Sequence, residues 1–159
     1  MSGLIHCSEI LLRGLQQKHV DWDPRTAKPT ASDDAFLLRR NEEYLSVDRN
    51  DPATVHESFT RWPATFLVAA VSLHTGKVCD LGLRVEPVPD PANPVHAGVF
   101  GLPTIYGPED QAAEAYRLAG DLREHCRFVA CRTPEVAERA RRRAALPLNR
   151  YRDFPPRIC

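Results

Sequence analysis

The sequence predicts an α+β domain with a small mixed or antiparallel sheet, and three observations carry that expectation. Residues 65–73, TFLVAAVSL, are continuously apolar and suit a pleated surface, as a central strand covered on both faces would. After Gly107 and Pro108, residues Ala112, Ala115, Tyr116, Ala119 and Leu122 recur at helical spacing, and Glu109 and Asp110 sit where the positive end of a helix dipole favours them. Two short apolar runs, residues 35–38 and 44–47, flank a polar stretch in the manner of two strands joined by a turn.

Taken in chain order, Ile10, Leu11, Leu12 and Leu15 fit one face of a helix over residues 8–19 with Ser8 as its cap, the alternative being a strand ending at Arg13. Residues 21–34 carry Pro24 and Pro29 and no apolar period, so they read as an exposed connection to the hairpin. Asp51 and Pro52 open a short helix through Phe59, because proline suits the first helical position, and Trp62-Pro63 stops it. A turn over residues 74–77 follows the central strand, and residues 78–85 hold a further strand or a short helical turn. Pro87, Pro89, Pro91 and Pro94 make a stiff connector to a strand over residues 95–100. The clear helix then covers residues 108–124, an edge or closing strand covers 126–131, and Thr133-Pro134-Glu135 starts a last helix over 133–146. Residues 1–146 form one domain on this reading, and residues 147–159 are a C-terminal tail.

Composition narrows the function classes. A chain of 159 residues, 43% apolar and 26% charged, has the balance of a globular protein, and at that length it buries on the order of 70% of its unfolded surface. Lysine plus arginine and aspartate plus glutamate number 21 each, so no basic field supports nucleic acid or an anionic membrane. The longest apolar run, residues 66–71, is far too short to cross a bilayer, and the first residues lack an export pattern, so a cytoplasmic protein is expected. The five cysteines are scattered and odd in number, which reads as reduced thiols; Cys126 and Cys131 lack the spacing of a structural zinc site, so no metal is expected.

Familiar catalytic motifs are absent: there is no glycine-rich phosphate loop, no G-x-S-x-G elbow and no dinucleotide fingerprint. His56-Glu57 begins like H-E-x-x-H, but Thr60 stands where the second histidine is needed. His56 and His96 remain candidates for acid–base work, because imidazole exchanges protons near neutral pH. On the last helix, Arg139, Arg141, Arg142 and Arg143 against Glu135 and Glu138 read as a solvated face.

Arg13, Ser46 in a Leu-Ser-Val strand and Glu57 come in the order Arg, Ser, Glu, which resembles the mono-ADP-ribosyltransferase-like and RES-type toxins that use NAD. That resemblance implies an arginine gripping the cofactor phosphates, a serine-bearing strand supporting the nicotinamide side and a glutamate polarising the ribose. A bidentate cation suits pyrophosphate, and a carboxylate near an anomeric carbon stabilises oxocarbenium charge. More broadly, AFLLRRNEEYLSVDR, then HESF and PVHAGVFGL, is similar to small uncharacterised bacterial proteins with an Ala-Phe, Leu-Ser-Val and His-Ala pattern over residues 10–125. That likeness implies a prokaryotic cytosolic origin and a shared fold, and names no reaction.

Two functions are therefore expected. The first is a small accessory protein that binds a protein partner and needs no cofactor. The second is a toxin-like enzyme acting on NAD or a nucleotide, with Arg13, Ser46, Glu57, His56 and His96 as its candidate catalytic residues.

Overall fold

The computed structural model describes residues 3–50, 54–88 and 90–146, so the expected tail lies outside the described residues. Eight strands and four helices follow in the order β1 (Ile10–Leu15), β2 (Val20–Asp23), β3 (Lys28–Ala31), β4 (Tyr44–Asn50), α1 (Thr54–Arg61), β5 (Ala69–His74), α2 (Thr75–Asp80), β6 (Arg84–Pro87), β7 (His96–Phe100), α3 (Glu109–His125), β8 (Arg127–Cys131) and α4 (Pro134–Ala144). Six strands form one sheet in the order β6-β7-β4-β1-β5-β8, and β2 and β3 form a separate hairpin. Every pair is antiparallel, which makes this an α+β fold.

The helix expected over residues 8–19 is a strand, β1, followed by a 3-10 turn at Gln17–His19. Leu11, Leu12 and Leu15 are all fully buried, so both faces of β1 are covered. Successive strand residues alternate faces, and a strand apolar on both loses the period of two that would distinguish it from a helix. The central strand is shifted as well: β5 begins at Ala69, and Phe66 is 45% exposed. Pro63 explains the shift, since its carbonyl accepts from the Phe66 and Leu67 amides at 3.0 and 2.9 Å and turns the chain before the strand begins.

Residues 21–34, expected as an exposed connection, contain the β2–β3 hairpin. Its turn is fastened by Asp23, whose carboxylate accepts from the Arg25 amide and the Thr26 hydroxyl, while Ala27 takes a positive φ of 53°. Residues 35–38 are not a strand: a 3-10 turn at Asp33–Phe36 drives Phe36 into the core, and β4 pairs with β1 and β7 instead. The expected turn at 74–77 is part of α2. The proline segment is the tip of a hairpin joining β6 to β7, closed by Asp90, whose Oδ1 accepts from the Ala92 and Asn93 amides at 2.8 and 2.7 Å.

One face of the sheet carries Leu11, Leu15, Leu45, Val47, Val71 and Val99 and packs with Phe36, the α3 residues Leu118 and Leu122, and Val136 of α4. Within α3, Ala115, Ala119 and Leu122 of the stripe read from spacing are buried, but Tyr116 is half exposed and Leu118 takes its place inside. On the β2–β3 hairpin, α4 is held by Arg143, which donates to Val20 O and to Asp21 Oδ1. The opposite face of the sheet is lightly covered by α1 and residues 62–67, and the candidate site lies there.

Candidate functional site

Strand β1 pairs with β5 along its whole length, to Leu15 opposite Ala69, but with β4 only as far as Leu12 opposite Asp48. Beyond that pair β1 and β4 part. The gap is spanned by Arg13, whose Nη1 donates to Ser46 O at 2.9 Å and whose Nε donates to Ala35 O at 3.2 Å. The Ser46 carbonyl, which a continuing ladder would have satisfied, finds a guanidinium instead, and the same group ties down the 3-10 turn at Ala35. Burial pushes the Arg13 pKa down to about 10, so the group stays cationic at neutral pH. Its second terminal nitrogen has no hydrogen-bond partner among the described residues.

A cavity of about 230 Å³ opens at this gap, with Arg13, Ser46, Asp48, Trp62, Asn93 and His96 among its walls. Around Arg13 it adjoins a hollow of about 170 Å³ that shares Gly14 and Ser46 and adds Arg39 and Phe66. A third, of about 300 Å³, lies beyond His19 and Arg39 and reaches Tyr106 and Tyr116. Gly14 sets the shape of one wall. A Cβ on Gly14 would stand 2.9 Å from Leu67 Cδ1 and 3.2 Å from Trp62 Cε3, so the Trp62 ring lies directly on β1. Gly98, opposite Ser46 across β4 and β7, lets the Tyr44 and Phe100 rings close over it at a centroid separation of 4.9 Å.

Trp62 is itself held from behind. Just after β8, the Arg132 Nε donates to Leu67 O at 2.7 Å and Nη2 to Trp62 O at 2.8 Å, while its guanidinium lies 4.8 Å from the Phe59 ring centroid. This one arginine fixes both ends of the turn that forms the cleft wall.

At the inner end Asp48 is 1% exposed and gathers a set of donors. Its Oδ2 accepts from Ser58 Oγ at 2.7 Å and from Arg61 Nη2 at 3.2 Å, and its Oδ1 accepts from Asn93 Nδ2 at 2.7 Å. His96, directly opposite Asp48 in the β4–β7 register, turns Nδ1 toward Oδ1 at 3.8 Å. Burial opposes the charge on Asp48, but the nearby His96 ring and the hydrogen bonds from Ser58, Asn93 and Arg61 outweigh it and hold the carboxyl down to about 2. An ionised carboxylate thus backs the imidazole, and Nε2 is left on the side of the ring away from it.

Of the residues expected from sequence, Arg13, Ser46 and His96 share this cleft. His56 and Glu57 do not line it: both are exposed on α1, and the residue that α1 turns inward is Ser58, which is fully buried. Sequence reasoning missed Asp48, Ser58, Arg61 and Asn93. The signal for Asp48 was present, because it lies two positions after Ser46 on a strand and therefore on the same face. Asn93 was legible only as a turn residue.

His19, at the far side of Arg13, is nearly buried, and burial followed by the nearby charges of Lys18 and Arg13 pushes its pKa down to about 4. Among the described residues no group of three or more His, Cys, Asp or Glu is placed to hold a metal ion, and no helix is long and apolar enough to cross a membrane. Comparison with known proteins finds no matching family model, no similar curated protein and no similar solved structure.

Proposed function

We propose that the chain is an enzyme acting on a nucleotide of the NAD class, with the parting of β1 and β4 as its site. One observation carries the reading: Arg13, Ser46 and His96, distant in sequence, line one cleft in which a buried ionised aspartate backs the histidine. The unpartnered nitrogen of Arg13 suits a phosphate oxygen, and the Trp62 ring offers an apolar wall to a planar base. The run of hollows around Arg13 suits an extended ligand better than a compact one.

The chemistry follows from the dyad. His96 Nε2 takes a proton from water or an acceptor hydroxyl as its oxygen bonds to the anomeric carbon of the nicotinamide ribose. The carbon–nitrogen bond breaks, its electron pair leaves with nicotinamide, and the Asp48 charge stabilises the imidazolium. Asp48 acts only through His96, and is not the ribose-polarising carboxylate that the resemblance placed at Glu57.

Nicotinamide release from NAD tests the reading. Wild-type protein is expected to consume NAD, His96→Gln is expected to lose roughly 10²-fold in rate, and Glu57→Gln is expected to match wild type. No consumption by wild type, or an equal rate in His96→Gln, overturns it.

A second reading is an accessory protein that binds a protein partner, and its support is the pair of half-exposed rings of Tyr106 and Tyr116 beside the third hollow. Arg40 lies 4.8 Å from the Tyr106 ring centroid, which leaves an aromatic and cationic surface typical of interface anchors. Co-elution with the product of a neighbouring gene, lost in Tyr106→Ser, would favour this reading over the first.

A further inference from the structure

Cys7 precedes β1 and Cys79 lies in the last turn of α2; both are exposed and neither is in a disulfide. The β1–β5 ladder, with Ile10 opposite His74, brings the entry of one strand beside the exit of the other. There the Gly76 amide donates to Cys7 O at 2.8 Å and the Thr75 amide donates to Glu9 O at 3.0 Å. Glycine at 76 permits this approach, since a Cβ would stand 3.1 Å from Cys7 O. Cys79 follows Gly76 by three positions, one turn along the same helix face, which sets it beside the segment that carries Cys7. The segment carrying Cys7 is also pinned to β4, because Glu9 accepts from Arg49 Nε and Nη2, both at 2.9 Å.

We propose that Cys7 and Cys79 are a redox pair that closes to a disulfide on reaction with a hydroperoxide and reopens with a dithiol. The Cys7 thiolate attacks the peroxide, the O–O bond breaks, and Cys7 becomes a sulfenic acid as water or an alcohol leaves. Cys79 then attacks that sulfur as thiolate, the S–O bond breaks, and water departs with the thiol proton. Two thiols are oxidised and one peroxide is reduced. Burial first, and then Cys7 and Asp80, raise the Cys79 pKa, so Cys79 holds less thiolate and the first attack on the peroxide falls to Cys7. Two other thiols compete poorly: Cys126 donates to Arg123 O at 3.1 Å and is pushed by burial up to about 11, and burial raises Cys131 too.

Reduced, full-length protein treated with equimolar hydrogen peroxide is expected to fall from five titratable thiols to three, the two lost being Cys7 and Cys79. Trypsin should then release residues 1–13 joined to residues 78–84, a species that dithiothreitol splits. Cys7→Ser and Cys79→Ser should each abolish it, and a variant with serine at positions 126, 131 and 159 should keep it. Five thiols after treatment, a linkage through another cysteine, or oxidation of Cys7 without joining to Cys79 would overturn the proposal; the mapping on wild-type protein decides it even if a variant fails to fold.

Discussion

Replacing Asp48 by asparagine keeps the shape of the side chain but removes the charge that Arg61, Ser58, Asn93 and His96 surround. Arg61 is a quarter exposed and partly screened, so Asp48→Asn is expected to cost about 2–3 kcal/mol in urea unfolding. Two residues also set the response to acid. The folded-state pKa of His19 is lowered to about 4 from 6.5, so between those values the unfolded chain binds a proton that the folded chain does not. Stability is therefore fully present above pH 6.5 and is lost as pH falls toward 4, by about 3 kcal/mol. Asp48 adds a second step below it: its carboxyl, at about 2 against 3.8 unfolded, contributes stability above 3.8 that is lost as pH falls toward 2. Unfolding free energies measured across the upper interval should slope in wild type and flatten in His19→Gln. An equal slope in both proteins would contradict the assignment.

At the scale of elements, the cleft depends on two features: β1 and β4 parting after Leu12, and the Trp62 wall lying down on Gly14. Arg132 holds that wall, so Arg132→Ala is expected to cost about 1–2 kcal/mol and to weaken ligand binding in the cleft without altering its proton-transfer groups. Fluorescence of Trp62 in a Trp22→Phe background reports the wall directly, and an unchanged spectrum would argue against the clamp. Gly98→Ala drives a methyl to within 2.6 Å of Tyr44 and 2.7 Å of Phe100, and is expected to cost about 1–3 kcal/mol in thermal or urea unfolding. The amphipathic helices were legible because α3 and α4 each bury small and apolar residues at helical spacing, Ala115, Ala119 and Leu122 in one and Val136 and Ala140 in the other. The strand β1 was not: being buried on both faces, it spaces its leucines as a helix would. Residues 65–68 were misread for a related reason, since an apolar run shows where the core is near but not where Pro63 turns the chain.

Across the whole molecule, α4 and the β2–β3 hairpin lock together on one side of the sheet while the cleft opens on the other. Only part of the basic run of α4 enters this packing: Arg143 reaches Val20 O and Asp21, while Arg141 and Arg142 pair with Glu138 on the exposed side of the same helix. The reading of that run as a solvated face was right for Arg141 and Arg142 and missed the structural tie made by Arg143. The candidate site was half visible in the sequence, because Arg13, Ser46 and His96 could be named by residue type, while their convergence depends on a strand order that joins β1, β4 and β7 across the chain. Glu57 has the chemistry and the order of the resemblance but stands exposed on α1, apart from the residues that line the cleft. The most direct test of a nucleotide site at the parting of β1 and β4 is an amide chemical-shift titration of the protein with NAD. Shifts gathered at Gly14, Ser46, Asn93 and His96 are expected; saturating NAD that moves none of them, or moves only residues of β8 and α4, contradicts the account.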